Sequence, residues 1–463
     1  RSDNPYNNYI SELRDSYDIE VLPLQHRQML ALDETLPCSA VRVNPHLQDI
    51  SVGMISYAGL QDFSVLGDKS GVLLGLTDPN YTTCWLDIEG APNNNKPPAM
   101  AIFGEPGSGK TYIAQSIATQ AAFLGKQVIF INPKGYSTLA PFAEYAGGRV
   151  VKMSSLEATP GFFDPFRYAH PEMAAEIASN FILTVLGQSG STPGDFTKEQ
   201  ERVLAAGLKR GAIAGARCVM EALQFTEDAD IIKAIKDQCM ASATFALGIG
   251  ADPRLGKLTI EELSGLTLIE FDRKLNLPEK SRDSSSFTRD EKIALSVIRL
   301  VSRASLEMLS LSDGGVFILD EAWTFLSSSD GLAVMEQLGR EGRSLNILPI
   351  FITQRVLDLV KDGVNMDSYL SRVLVLKLTD EREASAALSM CGLEATPGRL
   401  QWLKKAGPVA VADGIPSRPA RGLHKDLSDR HAAVILGPVP EDAHKAFTTN
   451  PLEVARRENE EDI

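Results

Sequence analysis

Three observations make this chain an α/β protein, a mainly parallel sheet covered on both faces, with an all-helical segment set into it. Six short, near-continuous apolar runs recur along the sequence: AMAIF (99–103), QVIFINP (127–133), LTLIEFD (266–272), GVFILD (315–320), ILPIFIT (347–353) and RVLVLKL (372–378). Such runs read as strands buried on both faces, and the helical patterns between them imply parallel pairing. The third observation is GEPGSGKT at 104–111, which follows the first of these strands and opens a helical run.

In chain order, residues 1–95 read as a strand-rich lead-in, with ISVGMISYAGL and SGVLLGLT. Residues 96–165 form the first part of the sheet domain. Residues 166–264 contain little that reads as strand, and MAAEIASNFILTVL, EQERVLAAGLKRGAIAG and ADIIKAIKDQCMASATFAL suit amphipathic helices. The sheet domain resumes over 265–425, and 426–463 read as a C-terminal tail ending in a disordered RRENEEDI. Helix starts are legible at Thr197–Gln200, Thr259–Glu262 and Thr288–Glu291, each a capping box. Gly-, Pro-, Asn- and Ser-rich stretches at 90–98, 187–195 and 281–287 read as exposed loops.

The composition narrows the function. With 463 residues, 44% hydrophobic and 23% charged, the chain is globular rather than disordered. No apolar run approaches the roughly 20 residues of a membrane span. Five scattered cysteines and six histidines fall in no zinc spacing, and the cysteines suit a reducing cytoplasm. A net charge of −14 argues against a broadly basic nucleic-acid-binding surface, though a ring pore needs few basic residues. No nucleophile elbow or His/Asp constellation is visible, so the chemistry on view is phosphoryl transfer to water.

GEPGSGKT fits the phosphate-loop pattern G-x-x-x-x-G-K-[ST] in full. Backbone N–H groups of Gly104, Glu105, Pro106, Gly107, Ser108 and Gly109 wrap the phosphates of a nucleotide in such a loop, apart from the proline, which has none. Lys110 reaches the β- and γ-phosphates, Thr111 offers a hydroxyl to Mg²⁺, and Tyr112 opens the helix beside them. The expected ligands are therefore ATP and Mg²⁺. Paired acids at a strand end are costly to bury unless something cationic lies against them. Asp320 and Glu321, at the end of GVFILDEAWTF, are thereby assigned: Asp320 to the Mg²⁺ shell and Glu321 to polarising the attacking water. Gln354, ending another strand, is placed to sense the γ-phosphate or to hold the water, with a satisfied polar strand end as the rival reading. Arg340 and Arg343 in LGREGRS are two candidates for an arginine finger reaching a neighbouring subunit, or for ordinary solvated charges. Arg372, Arg382 and Arg421 read as surface or ion-paired residues.

At LDEAW (319–323) the sequence resembles the conjugation and type IV secretion ATPases of the fourth-VirB-component and TraC kind, within the HerA/FtsK group of ring motors. LGDKSGVLLGLT, VIFINPKGYSTLA (with Asn132 where an Asp is common), FFDPF and LGREGRSLNILPIFITQ agree, so the likeness spans about residues 50–425. The resemblance implies a RecA-like core with a helical insertion and a homo-hexamer. Partners would be other secretion-system ATPases and inner-membrane channel components at the cytoplasmic face of the membrane. It carries Lys110, Thr111, Asp320, Glu321 and Gln354 over to the roles given above, and Trp323 serves as a packing residue. That family has a large N-terminal docking domain, and the stretch before Gly104 is too short for one. The expectation is a C-terminal ATPase portion, or docking by a separate part. Two rival readings remain open: a DNA translocase or coupling protein, and a nucleotide-gated scaffold with negligible turnover.

Overall fold

The computed structural model describes residues 65–449 and 454, except for 79, 134–138, 157–158, 188–195, 253, 255, 257–264, 272–285, 313, 323–345, 358–368, 411–415, 419 and 438. The chain divides into two compact units, 1–63 and 64–463, and all described residues lie in the second. The lead-in run at 50–60, the capping box at Thr259 and the acidic C-terminal run therefore lie outside the described residues.

Strands β1 (Val72–Thr77), β2 (Thr83–Leu86), β3 (Ala99–Phe103), β4 (Val128–Asn132), β5 (Arg149–Lys152), β6 (Leu266–Glu270), β7 (Gly315–Leu319), β8 (Ile347–Thr353) and β9 (Leu370–Val375) are followed by a two-stranded ribbon and then by β10 (Arg421–Lys425) and β11 (His431–Leu436). Eleven of these strands join one sheet in the order β2-β1-β11-β10-β9-β3-β8-β7-β4-β6-β5. From β9 to β5 every pairing is parallel, and β10, β11, β1 and β2 extend that sheet antiparallel at one edge. Each of the six apolar runs contributes a strand to this parallel part (β3, β4, β6, β7, β8 and β9), and those six strands are buried along their whole length.

The period-2 alternation of strand side chains divides them between two apolar layers. Met100 and Ile102 of β3 face one layer with α1 (Lys110–Phe123), α2 (Ala140–Tyr145) and the late helix α11 (Glu441–Phe447). Ala99, Ala101 and Phe103 face the other. That second layer holds α3 (Pro171–Leu186), α4 (Lys198–Ile213), α5 (Val219–Ala222), α6 (Ala229–Ala241), α7 (Ala243–Ala246), α8 (Arg289–Leu311), α9 (Glu381–Met390) and α10 (Pro397–Lys405). The capping boxes at Thr197–Gln200 and Thr288–Glu291 are both formed, at the starts of α4 and α8.

The helical segment is tied together by one buried carboxylate. Asp164, in FFDPF, accepts hydrogen bonds from the backbone N–H groups of Phe166 at 2.8 Å, Val219 at 2.8 Å and Gly250 at 2.6 Å. One short side chain thus holds three chain segments far apart in sequence. One sequence expectation needs amending. The stretch from 426 onward carries β11, which pairs with both β10 and β1, and α11, whose Phe447 is buried, so the sheet domain runs past 425. Arg372, read as surface or ion-paired, is the latter: only 1% exposed, it is ion-paired with Asp68 at 3.0 Å and donates to the Asp87 carbonyl at 2.9 Å.

Candidate active site at the carboxyl edge of the sheet

Register puts the candidate residues together. Phe103 of β3 lies beside Thr353 of β8, and Leu319 of β7 lies beside Phe351 of β8. Gly104, Gln354 and Asp320 are the residues that follow these three adjacent strands, so 104, 320 and 354 emerge at one edge. This is the edge at which open α/β sheets hold ligands.

The loop 104–109 turns tightly enough to need its glycines. A Cβ on Gly104 would come within 2.5 Å of Ser108 Oγ, and Gly109, the N-cap of α1, has φ +96°. Pro106 and Gly107 are exposed, and Gly107 has open space where a side chain would stand. Ser108 Oγ is buried without a hydrogen-bond partner, which leaves a polar group inside the cradle for an anionic ligand to satisfy. Lys110 is buried and its Nζ donates to the Glu105 carbonyl at 2.8 Å. The Tyr112 hydroxyl hydrogen-bonds with His444 Nδ1 at 2.9 Å, and its ring packs edge-on against Phe447. Tyr112 therefore ties the start of α1 to α11.

Thr111 Oγ1 donates to Asp320 Oδ2 at 3.4 Å, joining the phosphate loop to the end of β7 across 209 positions of sequence. The other oxygen of Asp320 accepts from the Glu321 backbone N–H at 2.9 Å. Glu321 sits at φ +52°, a conformation that costs a non-glycine residue about 1–3 kcal/mol and concentrates at functional sites. The turn sends its side chain to Gln354, whose Nε2 donates to Glu321 Oε1 at 2.8 Å. Asp320 and Glu321 are both buried, at 2% and 9% exposure, and the backbone around them is pinned by Asp320 N–H to Ile131 at 3.0 Å and Ala322 N–H to Ile352 at 2.8 Å.

The donor set suits Mg²⁺. A hydroxyl and a carboxylate oxygen are hard ligands, and Mg²⁺ is held by one or two carboxylates plus phosphate oxygens and water rather than by a full protein cage. Among the described residues no cluster of three or more His, Cys, Asp or Glu forms such a cage. Arg340, Arg343 and Trp323 lie outside the described residues. Arg421, read as surface or ion-paired, pairs with Asp78 at 3.4 Å.

The sequence reading missed a carboxylate that holds the segment following Gln354. Glu383, in the first turn of α9, accepts from Val356 N–H at 2.7 Å, Leu357 N–H at 3.1 Å and Arg355 Nε at 3.1 Å. The available signal was Asp380-Glu-Arg-Glu383, a helix start with an acidic N-cap. Asp380 does cap α9, accepting from the N–H groups of Arg382 and Glu383.

The AAA-like domain family matches residues 78–408, most of the chain and all of this constellation. The chain belongs to the AAA-like domain family. The solved structure of VirB4 from Thermoanaerobacter pseudethanolicus matches over 82% of this chain and 99% of its own, with a TM-score of 0.58 and 14% identity. The expected fold, a RecA-like phosphate-loop core with helices added, is therefore borne out, and so at the level of fold is the resemblance to the secretion ATPases. The conjugative coupling protein TrwBΔN70 also matches, at 11% identity and a TM-score of 0.46. A Bacillus subtilis (strain 168) relative, the uncharacterized protein YddE, is 23% identical over 294 residues. That match takes in 58% of this chain and 34% of YddE, so this AAA-like chain spans about a third of its relative.

Proposed function

We propose that the chain is an ATP hydrolase that powers a type IV secretion or conjugation apparatus. The single observation that carries the reading is the contact of Thr111 with Asp320, which assembles a phosphate loop and a strand-end carboxylate into one Mg·ATP site. Lys110 binds the β- and γ-phosphates, and Thr111 with Asp320 holds the cation. Mg²⁺, when bound, offsets the charge that spreads over the transferring phosphoryl oxygens. Glu321, oriented by Gln354, takes a proton from water as its oxygen attacks the γ-phosphorus, and the bond to the β-phosphate oxygen breaks. Loss of the γ-phosphate changes what Gln354 meets, which gives the hydrolytic cycle a route to the rest of the fold.

The AAA-like family and the VirB4-like fold support this reading, as does the intact set Lys110, Thr111, Asp320 and Glu321. The same likeness supports a homo-hexamer, with an arginine of a neighbouring subunit (Arg340 or Arg343) completing the site. Other secretion ATPases and inner-membrane channel components would hold the ring at the cytoplasmic face. Among the described residues no helix is long and apolar enough to cross a membrane, so attachment through such partners is the proposed route for this part of the chain. The net charge of −14 favours protein over nucleic acid as the thing worked upon.

The test is steady-state phosphate release by the purified chain with and without duplex DNA, with Glu321→Gln as the blank. Hydrolysis indifferent to DNA is expected. Strong stimulation by DNA overturns the secretion reading in favour of a DNA translocase, and tight ATP binding with turnover no greater than the blank favours a nucleotide-gated scaffold.

A further inference from the structure

Two carboxylates outside the assigned chemistry lie on either side of the start of α9. One belongs to the phosphate loop. The Glu105 side chain accepts from the Thr379 N–H at 2.5 Å and from the Thr379 hydroxyl, and the Glu105 backbone N–H donates to the Lys377 carbonyl at 3.0 Å. One residue before the loop, the Phe103 carbonyl accepts from Leu376 N–H at 2.8 Å. The loop is thus lashed to residues 376–379, which run directly into the N-cap Asp380. The other carboxylate is Glu383, one turn into α9, which grips the backbone just after Gln354.

The placement is selective. Glu383 is 7% exposed, and its two oxygens accept from three donors on consecutive residues, 355 to 357. Burying a carboxylate is costly unless it is fully hydrogen-bonded, and here two of the partners are backbone amides. The positive end of α9 also favours the anion. Among the described residues, the Gln354 side-chain amide donates to Glu321.

We propose that Glu383 is a positioning residue for hydrolysis. It fixes the segment after Gln354 so that the Gln354 amide orients Glu321, and the Glu105–Thr379 contact ties that brace to the phosphate loop. The proposal rests on the ATP-hydrolase reading above and adds to it a second layer of residues that set the general base. Spatial adjacency alone does not establish coupling, so the decisive measurement is a double-mutant cycle.

The experiment compares the full chain with Glu383→Ala, Gln354→Ala and the double variant. Glu383→Ala is expected to lower kcat by about tenfold to a hundredfold, the loss usual when a residue supporting a reacting group is removed. KM for ATP should change little, because Lys110 and Thr111 are untouched. In the Gln354→Ala background the same substitution should cost nothing further. Losses that multiply, or an unchanged kcat, overturn the proposal. Hydrogen exchange gives a readout that needs no turnover: Glu383→Ala should speed exchange across 354–357 and across 320–322, and unchanged rates at 320–322 also overturn it. Should Glu383→Ala fail to fold, Glu383→Gln carries the test, since it keeps an acceptor for the two amides but loses the charge. A smaller loss in the same direction is expected, again absent on top of Gln354→Ala. A parent chain that binds ATP without hydrolysing it counts against the hydrolase reading alone, because the exchange measurement still judges the brace.

Discussion

Replacing Glu321 by Gln separates binding from chemistry in this site. The substitution keeps the side chain's size and one oxygen to accept from Gln354 Nε2, which lies 2.8 Å from Glu321 Oε1. It leaves the Thr111–Asp320 contact and Lys110 in place. What it removes is the ability to take a proton. A positioned general base contributes about 10²–10⁴-fold, which at 1.36 kcal/mol per tenfold is roughly 3–5 kcal/mol of transition-state stabilisation. The expected variant binds ATP within about twofold of the parent and turns over at about a hundredth of its rate or less. Phosphate release under saturating ATP gives the second number, and titration with a fluorescent nucleotide gives the first. Turnover within a few-fold of the parent refutes the role of Glu321. Loss of nucleotide binding refutes the premise that its neighbours hold the ligand independently of it.

Other outcomes follow from the same contacts. Thr111→Val should weaken Mg²⁺-dependent ATP binding while leaving Mg²⁺-free nucleotide binding nearly unchanged, read by titration with and without the ion. Arg372→Ala leaves the part-buried Asp68 without its cation and should lower unfolding free energy by about 1–3 kcal/mol, measured by denaturant titration. Two buried groups give opposed pH dependences. Burial pushes the Asp164 carboxyl up to about 7 despite its three backbone donors and Arg167, so its contribution is present in acid and lost as pH rises from the usual carboxylate range to about 7. Burial pushes the His424 imidazole down to about 4, so its contribution is present above the ordinary histidine range and lost as pH falls towards 4. The two oppose each other between about pH 4 and 6.5, and Asp164→Asn should leave a stability that rises with pH there by up to about 1.4 kcal/mol per unit, checked by unfolding at several pH values.

Some of this was legible from sequence for a physical reason. A strand covered on both faces must be apolar at every position, so AMAIF, GVFILD and ILPIFIT announce themselves, and a phosphate loop needs its glycines wherever it occurs. Thr197 and Thr288 announce helix starts because both halves of a capping box are local. What failed to show was non-local. HAAVIL is only partly buried at the extended edge, and it belongs to the sheet because it pairs with β1, whose Gly75 lies beside Leu436. Nothing in 426–463 alone records that partner. Arg372 likewise opens an apolar run without any sign that Asp68 waits for it. Glu383 looks like one more acid in DERE, and its role rests on amides at 356 and 357 that carry no side-chain signature at all.

The adjacent acids of the site are best understood through what holds each one. Asp320 and Glu321 are neighbours in sequence, yet Asp320 is engaged by Thr111 from the helix after β3, and Glu321 by Gln354 from the end of β8. The left-handed turn at Glu321 makes this division possible, because an extended or helical residue there would not direct consecutive carboxylates to those two partners. β8 lies between β3 and β7 in the sheet, so Gln354 emerges between the phosphate loop and the acid pair. On the proposed reading, one carboxylate serves the phosphates and the cation, and the other serves water and a strand that can report on the γ-phosphate. Supported from two strands, they can be given different tasks.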